Sequence, residues 1–135
     1  MATFVDANVF IRFFANDDKV QSEAAEKLFQ KARSGAAELL TGPPVFFEIA
    51  WVLGYRYKIK SEEIMDILES IVGWPGISVL DETLVLKAIA LARETKSEFA
   101  DAYIAASAGN AGANDIATFN KKHFIRLKQE LCQEI

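Results

Sequence analysis

The chain has 135 residues, 51% hydrophobic and 25% charged; that length suits one domain spanning 1–135 with one real core, and the balance excludes general disorder. A formal net charge of −4 argues against gripping nucleic acid by positive charge alone, yet is compatible with an enzyme whose acids bind divalent cations. No basic segment precedes an apolar one at the N-terminus and no apolar run approaches the ~20 residues of a bilayer span, so a soluble cytoplasmic protein without membrane association is expected.

Short apolar runs alternate with helical periodicity, the pattern of an α/β fold on a parallel sheet. Residues 3–5 are expected as a first strand ending at Asp6, and 8–15 as a short helix that Asp6 can cap. Asp17 and Asp18 precede a second helix striped by Ala24, Ala25, Leu28, Phe29 and Ala32 and closed by Gly35. Residues 38–41 form the second strand. Gly42-Pro43-Pro44 then punctuates the start of a third helix, at about 45–57. Ser61 is the expected cap of a fourth helix, with Glu62 and Glu63 suiting its dipole. Residues 77–80 are the third strand, and Leu84, Val85, Ala88, Leu91 and Ala92 stripe the next helix. Ser97 or Glu98 opens another, which the Gly109–Gly112 stretch closes, and 116–118 is a fourth strand. The tail, 121–135, is expected to hold a short helix and a weak last strand. In such an order the ligand site lies beyond the carboxyl ends of the strands.

Three acids stand out. Asp6 is embedded in Phe4-Val5-Asp6-Ala7-Asn8-Val9-Phe10, Glu48 in an otherwise uncharged run from Val45 to Leu53, and Asp101 in Phe99-Ala100-Asp101-Ala102-Tyr103. A carboxylate among apolar groups loses hydration, and several converging carboxylates repel one another unless a cation lies between them. Each has a plain reading: Asp6 a helix cap, Glu48 a solvent-facing helix residue, Asp101 a partner of a helix dipole. Their joint occurrence near one edge of a sheet favours a shared site. Asn120, after the fourth strand, brings an amide to the same edge. Oxygen donors of this kind suit Mg2+ or Mn2+, whereas one histidine (His123) and one cysteine (Cys132) argue against zinc and exclude an internal disulfide.

These segments together resemble the PIN-domain nucleases. Val5-Asp6-Ala7-Asn8-Val9 is similar to the family's opening, Pro44-Val45-Phe46-Phe47-Glu48-Ile49 to its second acidic position, and Phe99–Ala106 to the helix bearing its third acid. Thr118-Phe119-Asn120-Lys121-Lys122-His123-Phe124 is similar to its closing motif. The order, spacing and length are those of bacterial and archaeal toxins of the VapC type. The resemblance implies a three-layer fold with a central parallel sheet of four to five strands flanked by helices. It also implies Mg2+- or Mn2+-dependent cleavage of single-stranded RNA, a homodimer, and a small antitoxin that blocks the site. Asp6, Glu48 and Asp101 would be the metal-binding acids, with Asn120 beside them in catalysis. Asn8 would orient the cluster by hydrogen bonding, and Thr118 would supply a hydroxyl near the metal or phosphate. The family usually has an acid where this chain has Asn120. Glu98, three residues before Asp101, is a candidate to compensate.

Lys121, Lys122, His123, Arg126 and Lys128 form a basic stretch able to steer RNA phosphates, or equally a solvated helix face; Arg12 is a further candidate contact. The aromatics crowded into 10–14 and 46–57 read mainly as core, with some exposed for a dimer interface, an antitoxin helix or unpaired bases. A haloacid-dehalogenase-like phosphatase would need an acid where Asn8 stands, and a phosphoacceptor receiver domain would need an acidic pair near Asp6. The alternative of a different class is a PIN-fold binding protein with little or no turnover, acting through protein or RNA partners; Asn120 favours it.

Overall fold

The computed structural model describes residues 1–120 and, in the tail, Lys122, Phe124, Leu127 and the backbone of Cys132–Glu134. The chain forms two compact units, Met1–Glu82 and Thr83–Ile135. The first contains β1 (Ala2–Phe4), α1 (Ala7–Ala15), α2 (Lys19–Arg33), β2 (Glu38–Thr41), α3 (Pro43–Tyr55), α4 (Ser61–Val72) and β3 (Ile77–Val79). The second contains α5 (Glu82–Thr95), which begins at the boundary residue, then α6 (Phe99–Asn110), β4 (Ile116–Thr118) and β5 (Cys132–Glu134).

In the first unit the strands run in the order β1-β2-β3, parallel, with Phe4 opposite Leu40 and Leu40 opposite Ser78. The ladder continues past the strand ends through Val5 N–H to the Leu40 carbonyl at 2.8 Å and Leu80 N–H to the Thr41 carbonyl at 2.9 Å. All three strands therefore finish at one edge, from which α1 and α3 depart. In the second unit β4 pairs with β5, also in parallel, Ile116 opposite Cys132. The described strands are thus α/β in class and parallel at every pairing, as expected. Hydrogen bonds join three of them in the first unit and two in the second. Hydropathy encodes that a segment is a strand, but the partner of its backbone groups is a long-range choice.

Amphipathic spacing explains the helices. In α1, Ala7, Phe10 and Ile11 are buried, and Asn16 ends the helix in the left-handed conformation, its N–H bonded to the Arg12 carbonyl. In α2 the buried stripe is Ser22, Ala25, Phe29 and Ala32, whose mostly small side chains let α1 approach closely. Ala24, expected inside, is exposed, and Leu28 is only half-buried. Phe10 stacks on Phe29 at 5.3 Å between centroids, and Trp74 closes on Phe29 at 4.9 Å. Phe13 and Phe14 pack against the same indole at 5.3 and 5.5 Å. Phe10 is core, Phe13 and Phe14 are half-buried, and Trp51 and Tyr55 are exposed.

Two boundaries are corrected. The third helix starts at Pro43, because proline at the first helical positions loses no hydrogen bond. Ser61 is not the cap of α4: Lys60 holds that position, without a side-chain cap, and Ser61 is already helical. The weak last strand is present as β5, and in the stretch expected as a tail helix the described residues Lys122 and Phe124 are helical.

Gly76 precedes β3 with φ of +80°, and a Cβ there would lie 2.2 Å from the Ala32 carbonyl oxygen at the end of α2. Only glycine allows that approach while its own carbonyl accepts from Leu39 N–H at 2.9 Å. Gly76→Ala is expected to cost ~2 kcal/mol or more, from left-handed strain plus the clash. A urea midpoint shift of the purified protein measures it, and an unshifted midpoint would remove Gly76 from this role.

Candidate functional site

Asp6 follows β1 as the N-cap of α1, in extended conformation. Its Oδ1 accepts from the Ala7 N–H at 2.8 Å. Helix caps usually accept from the second or third helical residue, so this contact with the first occupies one oxygen at the very start of the helix. Among the described residues Oδ2 takes no protein hydrogen bond. Glu48 is the sixth residue of α3, ~8 Å of helix rise from its start. Val45, Phe46, Ile49 and Leu53 take the buried stripe of α3, which leaves Glu48 exposed and without hydrogen bond or ion pair among the described residues. The parallel register sends α1 and α3 out from the same edge of the sheet, and these two helices pack on each other. The first unit thus presents two carboxylates, on packed helices with a common origin.

In the second unit Asp101 is half-buried in the first turn of α6. Glu98 is the N-cap residue of that helix but makes no side-chain cap. Thr118 ends β4, and its Oγ1 accepts from the Asn120 N–H at 2.9 Å. That bond closes the turn after the strand and leaves the exposed Asn120 amide unused by it. Within neither unit do three or more described His, Cys, Asp or Glu side chains form a group that would hold a metal ion by itself.

One expectation changes. Lost hydration was the sign that singled out Asp6 and Glu48, yet both are exposed: their apolar sequence neighbours point to other sides of the helices. Asn8, expected to orient the acids, makes no side-chain hydrogen bond among the described residues. It lines a groove of about 490 Å³ between α1 and α2, with Arg12, Gln21 and Leu28. Lys122 is exposed; Lys121, His123, Arg126 and Lys128 lie outside the described residues.

Arg12 already has partners. It donates to Gln21 Oε1 at 2.6 Å, to Asp17 Oδ1 at 3.2 Å and to the Tyr57 hydroxyl at 3.2 Å. Tyr57 in turn donates to Asp17 Oδ2 at 2.7 Å. Tyr57, then the residue's own backbone N–H and the Arg12 charge, hold the Asp17 carboxyl below its ordinary range, while Tyr57 and Asp17 raise the Arg12 guanidinium. The basic tail is the cationic stretch that composition makes obvious. A second run, Arg56, Lys58 and Lys60, is marked in sequence only by its alternation with Tyr57 and Ile59.

The chain matches the model of the PIN domain family over residues 3–130. It is a PIN-domain protein. The match runs through both compact units and takes in all the acids discussed. This PIN domain is also similar to a VapC ribonuclease of Aquifex aeolicus (strain VF5), 21% identical over 118 residues, 87% of each chain. The described residues contain no helix long and apolar enough to cross a membrane.

The Asp17 contacts carry a pH signature. A carboxyl depressed in the folded state stabilises the fold above its unfolded pKa of about 3.9, and the contribution disappears as pH falls through the lower folded value. Asp17→Asn is therefore expected to lower the denaturation midpoint at neutral pH, with the gap to wild type closing below about pH 4. Denaturant titrations at several pH values measure this; a gap that widens in acid would contradict the assignment.

Proposed function

We propose that this PIN domain is a metal-dependent endoribonuclease that cuts single-stranded RNA phosphodiesters, serving as the cytoplasmic toxin of a toxin–antitoxin pair. The observation that carries the reading is the family match over 3–130, a span that includes Asp6, Glu48 and Asp101. The edge shared by Asp6 and Glu48, and the relative's name as a ribonuclease, support it. On this reading residues 1–135 act as one domain, as a homodimer, and a small antitoxin protein inhibits it.

The donor set fits a hard cation. It is all oxygen, its two described acids in the first unit are exposed, and neither spends its full capacity on protein partners. Asp6, Glu48 and Asp101 would hold Mg2+ or Mn2+, with the Asn120 amide oxygen as a neutral donor and Glu98 as a candidate fourth carboxylate. Such an ion, when bound, lowers the pKa of a water and offsets charge on a phosphate. The chain's own residues supply placement. Asp6 is anchored through Oδ1 by Ala7, which leaves Oδ2 for binding. Thr118 accepts from Asn120 and so keeps its own O–H to donate to a phosphate oxygen. Asn8 stands two residues from Asp6 on α1, within reach of the same end of the helix. The cations Lys121, Lys122, Arg126 and Arg12 would attract RNA phosphates. No residue need form a covalent bond to substrate; water attacks in line, leaving a 5′-phosphate and a 3′-hydroxyl.

One observation favours a second reading. Asn120 replaces an acid with an amide, so the chain has less negative charge for a second ion, as a binding protein with little turnover would.

The deciding experiment is cleavage of structured and single-stranded RNAs by purified protein with Mg2+, Mn2+ or chelator. Cleavage of unpaired RNA that stops in chelator is expected, and Asp101→Asn is expected to lower it by about 100-fold or more. A folded protein that cuts no RNA with either ion would leave the binding-protein reading. Asn120→Asp would then be the test of lost turnover, with restored cleavage expected if the amide is the cause.

A further inference from the structure

The carboxyl end of α3 and the loop after it combine features that the acidic cluster does not use. Trp51 and Tyr55 are 58% and 53% exposed, with ring centroids 5.3 Å apart and planes tilted by 32°. They follow Glu48 by one and two turns on the same helix. Beyond them the chain doubles back on the helix end, with Ile59 N–H bonded to the Leu53 carbonyl at 3.0 Å and Lys58 in the left-handed conformation. Burial alternates along this stretch: Tyr57 and Ile59 are half-buried, while Arg56, Lys58 and Lys60 are exposed. Among the described residues these three cations make no hydrogen bond or ion pair through their side chains. The nearest acids in sequence, Glu62 and Glu63, occupy the first turn of α4, where they complement its dipole.

We infer that this surface holds single-stranded RNA beside the cleavage site, Trp51 and Tyr55 stacking unpaired bases while Arg56, Lys58 and Lys60 take phosphates. The inference rests on the nuclease reading and assigns its substrate a second foothold. Two exposed aromatic rings side by side offer faces on which unpaired bases can stack, which is sequence-tolerant because every base has a π-face. Cations without protein partners are the complement of a polyanion. A second copy is the poorer occupant: a two-fold contact sets a surface against itself, and here it would bring two sets of unneutralised cations together.

The test measures binding of a short fluorescent single-stranded RNA in chelator, which stops metal-dependent cleavage, beside cleavage of the same RNA with Mg2+. Trp51→Ala is expected to raise Kd about tenfold, within the range of one lost base stack. Lys58→Ala and Lys60→Ala together are expected to reduce the slope of log affinity against log salt by about 0.7 for each lysine. An RNA duplex, whose bases are already stacked, should lose little affinity on Trp51→Ala. Sedimentation of each variant is run alongside. If wild type binds and cuts RNA while the variants bind as tightly as it does, the surface is wrong and the nuclease reading stands. If Trp51→Ala instead dissociates an oligomer with RNA affinity unchanged, the face belongs to a second copy and the inference is overturned. If wild type neither binds nor cuts any RNA, the nuclease reading fails and takes this surface with it.

Discussion

The parallel register of β1, β2 and β3 is the constraint on which the first unit depends. Hydrogen-bonded neighbours must end together, so the residues that leave the strands leave from one edge. The buried Thr41 adds a second tie, its hydroxyl donating to the Val5 carbonyl at 3.3 Å, immediately before Asp6. The position of Asp6 therefore depends on β2 as much as on its own strand. The same edge starts α3 at Gly42 and Pro43, and hence sets where Glu48 stands.

Packing then fixes the directions of the helices. Phe10 and Phe29 join α1 to α2, and Trp74, from the turn before β3, closes over both. Small residues on α2 and the missing side chain of Gly76 are what allow these elements to approach. A carboxylate on the first residue before α1 inherits the rigidity of this cluster without being buried in it. That separation matters chemically: a hydrated acid can exchange water for a cation at modest cost, whereas a desolvated one would destabilise the fold until the cation arrived.

The cations divide by what they touch. Arg12 is engaged by Gln21, Asp17 and Tyr57, so it fastens α1 to α2 and to the loop after α3 before it meets any ligand. Arg56, Lys58 and Lys60 have no comparable duty. In a chain whose net charge is −4, the placement of these cations matters more than their number.

Much of this was legible in the residues alone. The α/β class, the succession of elements and the acids Asp6, Glu48 and Asp101 follow from periodicity, turn residues and charges lying where apolar neighbours are expected. Periodicity is a local property, carried by each segment's own side chains. Pairing and exposure are not. Which described strands pair, that Lys60 rather than Ser61 caps α4, and that Asp6 and Glu48 stay in water were settled by contacts between distant segments. The engagement of Arg12 by Tyr57 spans 45 residues, a distance over which no pattern in the chain links a guanidinium to a phenol. Sequence determined which groups the protein owns and roughly which element carries each. Tertiary structure alone decided which of them are already committed to one another, because a hydrogen bond or a parallel ladder forms between groups that folding brings together and sequence does not.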